Sequence, residues 1–263
     1  MAREDVLYTK EDGIATLTIN RPESRNAVTW EMHSLISEAL EDTKRDDAVR
    51  TLILTGTDPA FCAGTDVKGG MAPSVEQRLA GLARDTGERR LSWSFVNIAK
   101  PTIAAVNGAA VGMGAEFSIQ CDIRIASERA RFGWIFPQRG LVPDTGAGTY
   151  LLPRIVGLSN ACELVFSGEI IDAQEALRIG LVSRVVPHDE LLPAVRELAL
   201  KFCKGAPLSL RWSKQLIYRG LERDLETHAA FTSQLQGMAF QTEDHQEGVK
   251  SFLEKREPIF KGR

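Results

Sequence analysis

The stretch Lys100-Pro101-Thr102-Ile103-Ala104-Ala105-Val106-Asn107-Gly108-Ala109-Ala110-Val111-Gly112-Met113-Gly114-Ala115-Glu116 decides how this chain folds. Thr102 to Val106 is a short apolar run of the kind that forms a buried strand, and Asn107-Gly108 breaks it. The small residues from Ala109 to Ala115 then lead into a short helix that ends near Cys121. Glycines therefore stand where that helix begins. The first N–H groups of a helix lack an internal partner and lie at the positive end of its dipole. They are a natural seat for an anion, including an oxyanion that develops during a reaction. Taken alone the signal is weak, because a glycine-rich turn more often reflects tight packing.

Upstream, Ile14 to Asn20 alternates and is rich in β-branched residues, so it reads as a strand; Val6 to Thr9 would pair with it across Asp12-Gly13. Thr29 is a good N-cap, after which Met32, Leu35, Ile36, Ala39 and Leu40 recur at helical spacing. Thr51 to Thr55 is a second buried-strand run closed by Gly56, which completes a βαβ unit. Residues 57–73 read as a loop, followed by a polar helix to about Ile98. Within the loop, Phe61-Cys62-Ala63-Gly64-Thr65-Asp66-Val67-Lys68 is rich in small residues, which let a ligand approach backbone N–H groups. Downstream, Ile123 to Ala126 is a further strand, the α/β alternation continues to about Val186, and the pattern from Glu190 on is helical. The expected organisation is an α/β core over residues 1–190 and a helical region over 191–263.

Composition narrows the function. A chain of 263 residues with 43% hydrophobic and 25% charged residues buries a sizeable core without a disulfide or metal staple. The net charge of -3 and the helical spacing of the basic residues between Arg211 and Arg219 give nucleic-acid binding little support. Cys62, Cys121, Cys162 and Cys203 are far apart and show no paired metal spacing, so reduced thiols in a cytoplasmic protein are expected, with no metal site. Met1 to Asp5 is followed by no apolar segment of a secretory signal, and no apolar run approaches the length of a membrane span. His33, His188, His228 and His245 are not paired with Ser or Cys as a nucleophilic hydrolase requires. Gly112-Met113-Gly114 lacks the further glycine of a dinucleotide-binding turn.

Read together, the segments resemble the crotonase (enoyl-CoA hydratase/isomerase) superfamily nearly end to end. Asn20-Arg21-Pro22 with Asn26-Ala27 is similar to its first-strand signature, and Phe61 to Lys68 to its coenzyme-A loop. The Lys100–Gly108 stretch with the following glycines and Cys121-Asp122-Ile123-Arg124 is similar to its most diagnostic block. Gly180-Leu181-Val182 and Phe252-Leu253-Glu254-Lys255-Arg256 match later landmarks. The resemblance implies a crotonase-like spiral of ββα units with a C-terminal helical trimerisation region, assembled as a homotrimer or a dimer of trimers. It implies an acyl-coenzyme A substrate, with coenzyme A entering as part of that substrate and no separate cofactor. It assigns the backbone N–H groups of Thr65 and Met113 to an oxyanion hole that grips the thioester oxygen and stabilises an enolate. Many relatives carry Gly where this chain has Met113, whose side chain must therefore point away from the thioester. Thr65, Asp66, Val67 and Lys68 would line the coenzyme-A site, with Ala63 near the adenine. Arg25 is placed along the pantetheine arm or near a phosphate, and Lys255 of a neighbouring subunit at a phosphate.

For the chemistry, Glu116 falls on the first of the two glutamates that hydratases of the superfamily use around one water. The second position is occupied by Phe136. Another acid, Asp144 in Gly140-Leu141-Val142-Pro143-Asp144, matches the catalytic aspartate of dienoyl-CoA isomerases and of the ring-opening epoxide isomerase of phenylacetate breakdown. Glu116 and Asp144 are thus the expected acid/base pair of a hydratase or isomerase, with Trp134 and Phe136 as an apolar wall of the acyl pocket. Two other readings stay open. One is an acyl-CoA hydrolase or dehalogenase with Asp144 as nucleophile, and the other a non-catalytic member of the superfamily. A structural role is also available to each acid: Glu116 suits the first turn of a helix, and Asp144 an N-cap.

Overall fold

A computed structural model describes residues 5–66, 94–143, 145 and 147–263. The chain begins with an antiparallel hairpin, β1 (Val6–Glu11) and β2 (Ile14–Ile19). Helix α1 (Trp30–Arg45) follows, capped by the Thr29 hydroxyl, which accepts from Met32 N at 3.4 Å. The polypeptide then winds as a spiral. Strands β3 (Thr51–Gly56) and β4 (Ala60–Cys62) form one turn, and β5 (Thr102–Val106) and β6 (Ala109–Val111) with helix α2 (Met113–Gln120) the next. A further turn is made by β7 (Ile123–Ser127) and β8 (Arg131–Gly133). The first strand of each turn enters a six-stranded sheet. The second enters a four-stranded sheet of order β4-β6-β8-β9, where β9 is Ile171–Asp172. The larger sheet has the order β1-β2-β3-β5-β7-β10, with β10 at Arg184–Val186, and is parallel from β2 onward.

Both faces of the large sheet are covered, which is why β3 and β5 read as unbroken apolar runs rather than alternating ones. Leu52, Leu54, Ala104 and Val106 turn toward the larger core, whereas Ile53, Ile103, Ala105 and Ile125 turn to the opposite face. There they meet Leu191, Val195 and Ala199 of α7 (Leu191–Cys203). Each such leucine or isoleucine contributes roughly 2 kcal/mol by leaving water. Helix α7 therefore packs on this opposite face of the sheet. Before it, α3 (Ala147–Tyr150), α4 (Leu152–Val156), α5 (Leu158–Ser167) and α6 (Ala173–Arg178) connect β8 to β10. Helices α8 (Pro207–Gly220), α9 (Leu225–Phe240) and α10 (Glu243–Glu254) form the C-terminal region.

Two landmark motifs of the sequence turn out to be structural. The buried Arg124 guanidinium donates to the carbonyls of Leu181 (2.6 Å) and Cys121 (2.7 Å), tying one motif to the other. Asp122 accepts from Thr102 N, Lys214 Nζ (2.9 Å) and the Tyr218 hydroxyl (2.8 Å), which fastens α8 to the end of the sheet. The cysteines are free. Among the described residues no helix is long and apolar enough to cross a membrane.

Candidate active site

The site is built where the two sheets turn into α2. The Phe61–Asp66 loop is held from beneath by the first-strand signature. The buried Asn26 amide donates to the carbonyls of Thr57 and Ala60, both at 2.6 Å, and its Oδ1 accepts from Arg21 N. Arg21 Nη1 donates to Asp66 Oδ2 at 2.8 Å and to the Ala27 carbonyl at 2.7 Å. Asp66, expected to face coenzyme A, therefore directs its carboxylate to Arg21. Ala63 N donates to the carbonyl of Arg25, so Arg25 sits beside the loop, exposed and in the left-handed conformation.

Thr65 pairs in parallel with Val28 through the flanking atoms: Val28 N donates to Gly64 O and Asp66 N to Val28 O. Such pairing directs the N–H of Thr65 itself away from Val28. Across the gap, a Cβ built on Gly64 would lie 3.7 Å from Met113 N, the first amide of α2. Neither Thr65 N–H nor Met113 N–H donates a hydrogen bond to another described residue. The Met113 side chain is buried in the apolar core, which leaves its amide at the helix start. This close approach needs Gly114, because a Cβ there would sit 2.0 Å from the Cys62 carbonyl oxygen.

One turn into α2, Glu116 is fully buried. Its Oε1 accepts from Trp134 Nε1 at 2.8 Å. Its Oε2 accepts from the Thr145 hydroxyl at 2.5 Å and from Gly148 N at 3.0 Å. At least three donors, all from outside its own helix, thus converge on this one carboxylate. A structural acid of the first helical turn would satisfy the N-terminal amides of its own helix. Glu116 instead engages partners 18, 29 and 32 residues away.

An end-to-end similarity joins this geometry. The family model for enoyl-CoA hydratase/isomerase matches residues 9–263. The chain belongs to the enoyl-CoA hydratase/isomerase family. It is 40% identical to a short-chain-enoyl-CoA hydratase of Clostridium acetobutylicum, covering 97% of each chain. It is 36% identical to a 1,2-epoxyphenylacetyl-CoA isomerase of Escherichia coli, covering 99% of each. Among solved structures, an enoyl-CoA hydratase from Bacillus anthracis superposes with a TM-score of 0.92 at 32% identity, covering 99% of this chain and 100% of that one. The crotonase-like fold expected from the sequence is thereby established.

Within this crotonase-family chain, the structure gathers Thr65, Met113 and Glu116 around the start of α2. Asp144, Val67 and Lys68 lie outside the described residues. Phe136, at the position of the second glutamate of family hydratases, is buried in the same apolar core as Met113. Trp134 was expected as a wall of the acyl pocket. It has no exposed surface, and it meets Glu116 through its one polar atom. Lys255 ends α10, exposed, and among the described residues no hydrogen bond or ion pair joins it to the α2 site. Thr145 and Gly148 were not singled out from the sequence as site residues. The available signal was the Thr145–Thr149 run of small residues after the aspartate.

Proposed function

We propose that this protein is an enzyme that moves protons next to the thioester carbonyl of an enoyl-coenzyme A, as a hydratase or isomerase. The observation that carries the reading is Glu116: a buried carboxylate that accepts from Trp134, Thr145 and Gly148, one turn from the Met113 amide. The thioester oxygen would sit on the N–H groups of Thr65 and Met113, in hydrogen-bond reach of the charge it gains as an enolate. Such a donor contributes about 2.7–4 kcal/mol to the transition state. In isomerisation, one carboxylate acts as base and takes an α or γ proton, the electron pair moves onto the thioester oxygen, and an acid returns a proton at the other carbon. In hydration, water adds to the β carbon and the α carbon receives a proton. Glu116 supplies one group and Asp144 the other.

Phe136 favours isomerisation, since the carbon side chain at that position has no lone pair with which to activate water. The relatives named both as hydratase and as isomerase support acyl-CoA chemistry of this kind. On the same reading coenzyme A arrives as part of the substrate and no separate cofactor takes part. The protein works in the cytoplasm, and Ala63, Arg25, Val67 and Lys68 are assigned to the coenzyme by the family resemblance. The exposed Leu225, Phe252 and Leu253 of the C-terminal region support assembly as a trimer or a dimer of trimers, with Lys255 reaching a neighbour's phosphate.

The test is turnover of crotonyl-CoA, followed as loss or shift of the conjugated thioester absorbance. It is run for the parent, Glu116→Gln and Asp144→Asn, with an aryl- and a 3-enoyl-CoA as further substrates. Each variant is expected to lose roughly 10²–10⁴-fold in kcat. Near-parent turnover by both variants would sink the proposal.

A further inference from the structure

We infer that Trp134 is a positioning residue for Glu116: its indole N–H fixes the orientation in which the carboxylate meets the substrate. The inference rests on the reading of Glu116 as a proton-transfer group. Trp134 is the largest side chain with no exposed surface in the described part of the molecule. An indole has a single polar atom, and a buried one needs an acceptor. Any nearby backbone carbonyl would satisfy that need. Here the acceptor is instead Glu116 Oε1, at 2.8 Å.

The place of Trp134 in the chain gives the contact its rigidity. It follows β8 directly, and β8 is hydrogen-bonded in parallel to β6, which leads into α2. Gly112 N donates to the Gly133 carbonyl at 2.9 Å, so the residue before Trp134 is fastened to the residue before α2. Donor and acceptor are thus carried by two strand ends of one sheet, whose relative height is set by the ladder rather than by side-chain freedom. Thr145 and Gly148 N donate to the other oxygen. With Trp134 on Oε1, rotation of the carboxylate about its last bond would break hydrogen bonds on both oxygens. The arrangement uses an uncharged donor that burial in an apolar core tolerates. A lysine or arginine there would form an ion pair and weaken the carboxylate as a base.

The test compares Trp134→Phe, which keeps an aromatic ring and deletes the donor, with Glu116→Gln in the same assay. The expected result for Trp134→Phe is a kcat lowered about tenfold or more with KM little changed. The acidic limb of its kcat/KM–pH profile is expected to move up, because the carboxylate has lost a donor. If Trp134→Phe keeps the parent's kcat and pH profile while Glu116→Gln is inactive, the role of Trp134 is overturned and Glu116 stands. Full activity in Glu116→Gln overturns both. Should Trp134→Phe not fold, the indole ¹⁵N–H resonance of Trp134 in the parent carries the test. It is expected to titrate with the acidic limb of the rate profile and to shift in Glu116→Gln. A resonance indifferent to both would overturn the inference.

Discussion

Gly148 stands so close to Glu116 that a methyl group built on its Cα would lie 2.2 Å from the carboxylate Oε1. The same methyl would be 3.0 Å from the Trp134 ring. The absence of a side chain at Gly148 lets a backbone N–H of α3 reach the buried carboxylate.

Gly148→Ala is therefore expected to displace either α3 or the carboxylate. Overpacking of this kind costs about 1–3 kcal/mol of stability. A misplacement approaching 1 Å at a proton-transfer group lowers kcat by up to roughly 10²-fold. Urea unfolding and steady-state kinetics on the purified variant check both. Parent values in each would show that the site accommodates a methyl group there.

Arg21 fastens the loop that presents Thr65. It joins the Asp66 carboxylate to the Ala27 carbonyl, with the Arg21 and Asp66 side chains 17% and 9% exposed. Arg21→Met removes a largely buried charged partner of the loop that presents Thr65. The expected outcome is a stability loss of about 3 kcal/mol and a raised KM for acyl-CoA with a smaller effect on kcat. A variant with unchanged KM would mean that the loop is held without Arg21.

Tyr218 makes the fold sensitive to alkali. Burial, and then the negative charge of Asp122, push its phenol above the ordinary value of 10.0. A group whose folded-state pKa is raised contributes stability that is fully present below the unfolded value and lost as pH rises toward the folded one. The parent should thus lose stability progressively above pH 10.0, the unfolded value. Tyr218→Phe should start lower at neutral pH by about 1.5–3 kcal/mol, having lost a hydrogen bond to a charged acceptor. Its stability should then be flatter above that point. Parallel curves for the two proteins would remove Tyr218 as the cause.

Cys62 lies in the loop that presents Thr65, yet it should be chemically silent. Burial pushes its thiol up to about 12, and Gly64 N already donates to its sulfur. The thiolate, the reactive form, is then scarce at pH 8. Mass spectrometry after iodoacetamide treatment is expected to find Cys62 unmodified in the native protein and modified after denaturation. Rapid native labelling would show that this loop opens.

The sequence by itself determined what local backbone geometry controls. Alternation placed the β1–β2 hairpin, unbroken apolar runs placed β3 and β5, and the Thr29 cap placed the start of α1. These patterns have periods of 2 and 3.6 residues, and they are visible within a few turns of chain. The order of motifs added the family, and with it the position of Glu116 in the first turn of α2. The partners of that carboxylate were decided only by the tertiary structure. Trp134 looked like an apolar wall because its ring dominates its composition. Its one polar atom found Glu116 only because β8 runs beside β6. Likewise, only the tertiary structure shows that α7 lies on the face of Ile53, Ile103 and Ile125. Such contacts join residues tens of positions apart. They depend on which layers pack together, and packing of layers leaves no short-range period in the sequence.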